Sequence, residues 1–535
     1  MNSVTTSTAM VAVERLSVNG PRGEVIVHPW SAEVGRGETL ALIGESGAGK
    51  TLSAKALIGL LAPGIAATGA LVVNGTRYQL GQSDSQWRKL RGRLVTMVLQ
   101  DPFTALSPVH RIGDQIGWTI DAHAKKLSRR QRAERIRAAL AEVRLPAETA
   151  EQYPHQLSGG MRQRAAIAAA LASQPQLVIA DEPTTALDAS NQAGILELLD
   201  RLGRERGIAV LLITHDLGIV RDYADRVLVM RQGEIVERAS ASELFTAPQH
   251  EYTRSLLAAD PVTAMRNGEL ASASGAADTS QTPVLRATGI TKAFAGRQVL
   301  DGVDFEVRSG EIVGLVGESG SGKSTLMRCI AGLELEDAGT IAFDGVPVRP
   351  GRRDRTPQMA QIVFQDPYSS LNPMFTVGDT LREALRVAGR AASEAAELLE
   401  QVGLSAEYLR RRPASLSGGQ RQRVAIARAL APRPKLLICD ESVSALDVSV
   451  QAKILALLQR LRDETGQAIA LVSHDLGVVL AVTDRVAVLR DGVVIESGRS
   501  AEVFDNPQHD YTRQLVSAAH GRQMRDDEHP DVKEP

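Results

Sequence analysis

Cysteine is nearly missing: Cys329 and Cys439 are the two among 535 residues, and both sit in apolar runs. One pair can build neither a disulfide framework nor a four-cysteine metal cluster within the chain, which suits a reducing compartment. Each is expected to serve as buried packing. Long apolar runs are missing too. No stretch approaches the ~18 residues that span a bilayer, so the chain is not expected to cross a membrane on its own. Met1 to Val13 lacks a basic segment followed by an apolar one, so no secretion signal is read there. Neither sign of charge dominates, with 61 basic against 63 acidic residues and a net charge of −2. That balance offers no footprint for wrapping nucleic acid, and none is expected as a partner. The densest basic stretch, Lys125 to Arg137, alternates with Ala, Glu and Leu and reads as a solvated helix face. The remaining composition, 43% hydrophobic and 23% charged, is that of a globular protein. The length exceeds what one hydrophobic core organises.

What the chain does have is repetition. Gly44-Glu-Ser-Gly-Ala-Gly-Lys-Thr51 recurs as Gly317-Glu-Ser-Gly-Ser-Gly-Lys-Ser324, an offset of 273. Gln100-Asp-Pro-Phe recurs at Gln365, an offset of 265, and Leu157-Ser-Gly-Gly-Met161 as Leu416-Ser-Gly-Gly-Gln420, an offset of 259. Asp181-Glu182, His215-Asp216 and Tyr252-Thr-Arg254 recur at 259 as Asp440-Glu441, His474-Asp475 and Tyr511-Thr-Arg513. Six anchors in one order establish a duplicated chain. The reading is a flexible N-terminus at 1–10, a first domain at 11–259, an Ala/Ser/Gly/Thr-rich linker at 260–283, a second domain at 284–519 and a disordered tail at 520–535.

Each copy reads as strand, glycine loop, helix, then further strands alternating with helices, which implies a largely parallel sheet in an α/β fold. Thr39 to Ile43 is a short apolar strand entering the loop, and Lys50 to Leu60 is a helix leaving it. Leu177 to Ala180 is a buried strand closing at Asp181, and Ile208 to Ile213 another ending before His215. Ile112 to Gln156 favours helix, so a helical subdomain should interrupt the sheet. The polar groups thus fall at strand C-termini, where open α/β sheets place ligands.

The glycine loop has a direct physical reason. Gly44, Gly47 and Gly49 let the backbone bend so that successive N–H groups converge on phosphate oxygens, and the helix at Lys50 adds the positive end of its dipole. Glu45, Ser46, Ala48 and Lys50 complete the cradle, Lys50 reaching the β- and γ-phosphates and the Thr51 hydroxyl ligating Mg²⁺. Gly317, Glu318, Ser319, Gly320, Ser321, Gly322, Lys323, Ser324 and Thr325 repeat it. Asp181 and Asp440 are expected to hold Mg²⁺ directly or through water. Glu182 and Glu441 are candidate general bases for the water attacking the γ-phosphate. His215 and His474 are candidate γ-phosphate contacts. Gln100 and Gln365 carry amides that can touch both metal and attacking water.

Together with Ala186 to Asp188 and Ala445 to Asp447, this set resembles the ABC ATPases, and the Leu-Ser-Gly-Gly segments are that family's hallmark. The likeness covers nearly the whole chain. It implies two tandem P-loop ATPase domains, each with a RecA-like core sheet, an antiparallel β part and a helical subdomain. It also implies that ATP is held between one domain's glycine loop and the other's signature. Lys50 and Glu182 would then face Ser417, Gly418, Gly419 and Gln420, and Lys323 and Glu441 would face Ser158, Gly159 and Gly160. Phe294 stands where the family stacks an aromatic on adenine, whereas the first copy has Gly20. Met161 ends the first signature in place of Gln or Glu, and Ser442 replaces a proline after the second Asp-Glu.

Gly-Glu-Ser-Gly in both loops, Gln-Asp-Pro-(Phe/Tyr)-x-x-Leu-x-Pro in both Gln loops, and Pro248 to Arg254 with Pro507 to Arg513 resemble the ATPases of oligopeptide, dipeptide, nickel and glutathione importers. The resemblance implies ATP hydrolysis coupled to transport, ATP and Mg²⁺ as ligands, and two integral membrane permease subunits as partners. Through the permeases it implies an extracytoplasmic solute-binding protein, and a location on the cytoplasmic face of the membrane. Members with a C-terminal cysteine cluster carry iron–sulfur; this chain, lacking it, should not. Oligopeptides or dipeptides are the expected cargo, with nickel chelates and glutathione as alternatives. Soluble ABC proteins of translation or DNA repair, and exporters, are the rival readings. Their charged helical linkers, cysteine sites, coiled coils or fused spans are not found in this sequence.

Overall fold

A computed structural model of the chain describes residues 9–99, 105–124, 127–184, 189–259, 282–350, 354–364, 370–443, 448–473 and 476–520. It comprises two compact units, 1–257 and 258–535.

In the first unit five parallel strands form the centre of a sheet. In spatial order they are Arg226–Arg231, Thr39–Ile43, Ala209–Ile213, Leu177–Asp181 and Val95–Val98, with Glu234–Ser240 added antiparallel at one edge. The apolar runs are short and continuous because both faces are covered. Leu177 and Ile179 point into one core beside Leu40, Leu42 and Leu211, while Val178 and Ala180 point into another beside Val210 and Leu212. The first core also receives a four-stranded antiparallel sheet ordered Val25–Val34, Val11–Asn19, Ala66–Val73, Thr76–Gln79. The second receives helices Ile112–His123, Arg129–Glu142 and Gly159–Leu171. Ile112, Ile116 and Ile120 recur every four residues on one buried face. The expected helical insertion is thus present. The basic stretch within it presents Arg129, Arg130, Arg135 and Arg137 to solvent on a helix capped by Ser128.

The second unit repeats this plan. Its parallel strands are Ala360–Val363, Leu436–Asp440, Ala468–Val472, Ile312–Val316 and Arg485–Arg490, with Val493–Arg499 antiparallel at the edge. Its antiparallel sheet is ordered Arg297–Val307, Leu285–Phe294, Ala338–Phe343, Val346–Val348. Thr39 pairs with Val210 in the first unit and Ile312 with Ile469 in the second, so the registers correspond at the sequence offsets. One boundary differs from expectation: the helix begun at Lys50 ends at Ile58, not Leu60. Gly59 turns left-handed at φ 67°, and the N–H groups of Gly59 and Leu60 close on Ala56 and Lys55 oxygens. A Cβ at Gly59 would collide with the Trp87 indole.

Both cysteines are buried. Burial pushes the Cys329 thiol up to about 11 and the Cys439 thiol up to about 12. At pH 8 almost no thiolate exists to react. The folded protein should therefore take up no alkylating label, and two labels after denaturation. Mass spectrometry showing a label on the folded chain would contradict this.

Candidate functional site

The strand Thr39–Ile43 delivers the chain to a loop whose glycines adopt conformations closed to other residues: φ is 148° at Gly44, 82° at Gly47 and 105° at Gly49. A Cβ on Gly44 would strike the Met230 carbonyl, and one on Gly49 would stand 2.8 Å from Val27 Cγ2. Glu45, Ser46 and Ala48 complete the turn, which ends as a helix starting at Lys50. The buried Lys50 ammonium donates to Gly44 O at 2.6 Å and Glu45 O at 2.9 Å. Thr51 Oγ1 donates to Asp181 Oδ1 at 3.2 Å. The second unit matches closely. Gly317, Gly320 and Gly322 take φ of 153°, 85° and 108°, and Glu318, Ser319 and Ser321 fill the turn between them. Lys323 donates to Gly317 O at 2.7 Å and Glu318 O at 2.8 Å, and Ser324 Oγ to Asp440 Oδ1 at 3.0 Å, with Thr325 next in the helix.

Past each aspartate the backbone reverses. Glu182 and Glu441 sit in the left-handed region at φ 46° and 48°, which costs a non-glycine residue about 1–3 kcal/mol. Their N–H groups are held by Ile213 O at 2.8 Å and Val472 O at 3.0 Å, the ends of the neighbouring strands. Glu182 Oε1 lies 3.1 Å from His215 Nδ1. His215 is fixed by the next residue, since Asp216 caps a helix by accepting from Ile219 N at 3.0 Å. Burial alone would depress the His215 pKa, but the hydrogen bond and charge of Glu182 prevail and hold it above the ordinary value. Burial pushes the Asp181 carboxyl upward, the Thr51 hydroxyl opposes, and the Glu182 charge adds to the rise; Asp440 behaves alike with Ser324 and Glu441. Two hard oxygens side by side, in a place where negative charge is crowded, are a donor set that fits Mg²⁺.

The signature serines are helix caps. Ser158 accepts from Met161 N at 3.3 Å, and Gly159 and Gly160 open the helix. Ser417 accepts from Gln420 N at 3.3 Å, and the Gln420 side chain accepts from Ser417 N at 3.0 Å, ahead of Gly418 and Gly419. Met161 has no oxygen for that second leg, which is the physical content of its departure from Gln. Phe294 is exposed, with Lys292 Nζ 5.1 Å from its ring centre. At Gly20 the space a side chain would need is filled by the Glu24 carboxylate. Gln100, Gln365, His474, Ala186 to Asp188 and Ala445 to Asp447 lie outside the described residues.

Two side chains that the sequence marked only as part of the repeat, with no site role, also reach the loops. Tyr252 Oη accepts from Glu45 N at 3.1 Å, and Tyr511 Oη from Glu318 N at 2.9 Å. The signal was there, in the repeated Pro-Gln-His-(Glu/Asp)-Tyr-Thr-Arg segments, but nothing local in it says what the tyrosine touches.

The family model for "ABC transporter" matches residues 27–185 and 300–444, more than half of the chain, so that both glycine loops, both signatures and both Asp-Glu pairs fall within it. This chain belongs to the ABC transporter family. A second model, "Oligopeptide/dipeptide transporter, C-terminal region", matches residues 236–297 and 495–533 of this ABC ATPase. Among curated relatives, the glutathione import ATP-binding protein GsiA of Salmonella choleraesuis is 43% identical over 537 residues, covering 91% of this chain and 85% of its own. GsiA of Escherichia coli K12 is 42% identical, covering 95% and 89%. Among solved structures, cbiO1 of Clostridium perfringens, part of the ABC transporter complex cbiONQ, is 29% identical with a TM-score of 0.40, covering 42% of this chain and 92% of that one. Among the described residues no helix is long and apolar enough to cross a membrane.

Proposed function

We propose that this ABC ATPase is the motor subunit of an importer for small peptides, binding MgATP on each of its two glycine loops. The observation that carries the reading is the twofold recurrence of one constellation: a buried lysine on a glycine loop, a hydroxyl against an aspartate, and a glutamate forced into a left-handed turn beside them. Phosphoryl transfer to water needs little covalent chemistry from a protein and much placing of charge, which such a constellation supplies. Lys50 and Lys323 would take the β- and γ-phosphates. Thr51 with Asp181, and Ser324 with Asp440, would hold Mg²⁺, which neutralises phosphate charge when bound. Glu182 and Glu441 would accept the proton of the attacking water.

The cargo reading follows the relatives. The two curated relatives named above, each over 40% identical, are glutathione import ATP-binding proteins, and the second family model is that of oligopeptide/dipeptide transporters. Glutathione is itself a tripeptide, so it moves ahead of general oligopeptides and dipeptides as the expected solute. Two membrane permease subunits and an extracytoplasmic binding protein would complete the machine, with this chain on the cytoplasmic face.

Reconstitution tests it. With its permease subunits in vesicles and the binding protein added, the chain should release phosphate from MgATP and take up glutathione in preference to a dipeptide. Lys50→Ala and Lys323→Ala should each abolish nucleotide binding at one of two sites. No phosphate release in the reconstituted system would overturn the motor reading, and preference for the dipeptide the cargo reading.

A further inference from the structure

The Gly44–Glu45 peptide is gripped from both sides. Its carbonyl accepts from Lys50 Nζ at 2.6 Å, and its N–H, on the opposite edge of the same rigid plane, donates to Tyr252 Oη at 3.1 Å. The Gly317–Glu318 peptide is held identically, by Lys323 at 2.7 Å and Tyr511 at 2.9 Å. Each peptide begins at a glycine, where rotation meets least resistance. The phenol is therefore the group that decides which way the lysine-holding carbonyl points.

The tyrosines are in turn fixed from outside the glycine loop. Tyr252 stands in the first turn of helix Glu251–Ala258, whose approach is pinned by the buried Glu237 carboxylate accepting from Gln249 N at 2.7 Å and His250 N at 3.0 Å. Its ring lies under the Arg231 guanidinium, 5.0 Å from ring centre. In the second unit Glu496 accepts from Gln508 N at 2.8 Å and His509 N at 3.1 Å, and Arg490 covers Tyr511 at 4.8 Å. The two copies, 259 residues apart at the carboxylate, helix start, arginine and phenol and 273 apart at the loop peptide, have kept the whole arrangement.

We infer that Tyr252 and Tyr511 are positioning residues through which the C-terminal region of each unit sets the shape of its glycine loop and hence its affinity for the triphosphate of ATP. The inference rests on the ATPase reading above. A loop already held in shape has less ordering left to do when phosphate arrives, so the phenol contributes to binding. The hydroxyl acts on the loop peptide, in the binding half of the site, so the chemical step should be spared.

The test uses the full chain. Tyr252→Phe keeps the ring under Arg231 and removes only the hydroxyl. In a Lys323→Ala background, equilibrium titration with MgATP should give a Kd about three- to tenfold higher than without the phenylalanine, the loss expected of one hydrogen bond. Tyr511→Phe in a Lys50→Ala background should behave the same. In the Tyr252→Phe/Tyr511→Phe double variant KM for ATP should rise by a similar factor with kcat within about twofold, since uniform binding is what is lost. Titrations are run well below the unfolding midpoint of each variant. An unchanged Kd in both backgrounds, or a fall in kcat with KM constant, overturns the inference while the ATPase reading stands. Failure of the wild-type chain to bind MgATP would remove both.

Discussion

Replacing Glu182 and Glu441 together by glutamine should slow ATP hydrolysis about 10²–10⁴-fold while MgATP still binds. Glutamine keeps the size of the side chain and can still meet His215 Nδ1, now 3.1 Å from Glu182 Oε1, but it cannot take a proton from water. The lysine, the hydroxyl and the aspartate of each constellation are untouched, so the binding half of the site survives. Phosphate-release assays beside nucleotide titration separate the two halves. Wild-type turnover in the double variant would remove both glutamates from the chemistry, and the single variants show how the two sites share the work. A second readout follows from charge. Burial works against the His215 imidazolium, and Glu182 is what holds its pKa up. In Glu182→Gln the hydrogen bond loses its charge, so the His215 titration should move to lower pH, followed by imidazole proton resonances.

Removing one side of the Glu336–Arg355 ion pair should be the most damaging change far from the nucleotide residues. Both side chains are about 2% exposed, and Arg355 also donates to the Cys329 carbonyl at the end of the glycine-loop helix. Glu336→Ala strands a guanidinium in the core, at a cost of about 3–5 kcal/mol. For a unit of this size that lowers the unfolding midpoint by roughly 10 °C. Replacing both partners at once, as Glu336→Leu/Arg355→Met, should recover most of the loss, because the expense is the uncompensated charge rather than the missing attraction. Calorimetry showing a small shift for the single variant, or no recovery in the double, would refute this account.

Much of this molecule could be read before any coordinates. Short apolar runs such as Leu177 to Ala180 announce strands covered on both faces, and a glycine loop between an apolar run and a helix leaves one arrangement open. Duplication made each reading twice testable. Three features escaped because no local pattern encodes them. Glutamate carries no mark of a left-handed backbone, so the turns at Glu182 and Glu441 arise from tertiary pairing with the next strand. Glu336 and Arg355 are 19 residues apart, with no periodicity relating them. Tyr252 and Glu45 are 207 residues apart, and only the fold brings them together. The end of the first helix, expected at Leu60, falls at Ile58, although the glycine that follows is the usual stop signal and could have been read.

The offset between the copies falls from 273 at the glycine loop to 259 at the signature, yet the parallel strands on either side keep equivalent partners. Eight of those 14 residues are lost between the glycine loop and Gln100 with its counterpart Gln365, and six between there and the signature. Where the first unit has a helix of 14 residues, Arg129–Glu142, the second has one of seven, Ala395–Gln401. This later part of the loss falls in the helical layer, which carries none of the lysines, hydroxyls or carboxylates argued to do chemistry. The halves are thereby free to evolve toward unlike neighbours while the engine beneath them stays a matched pair.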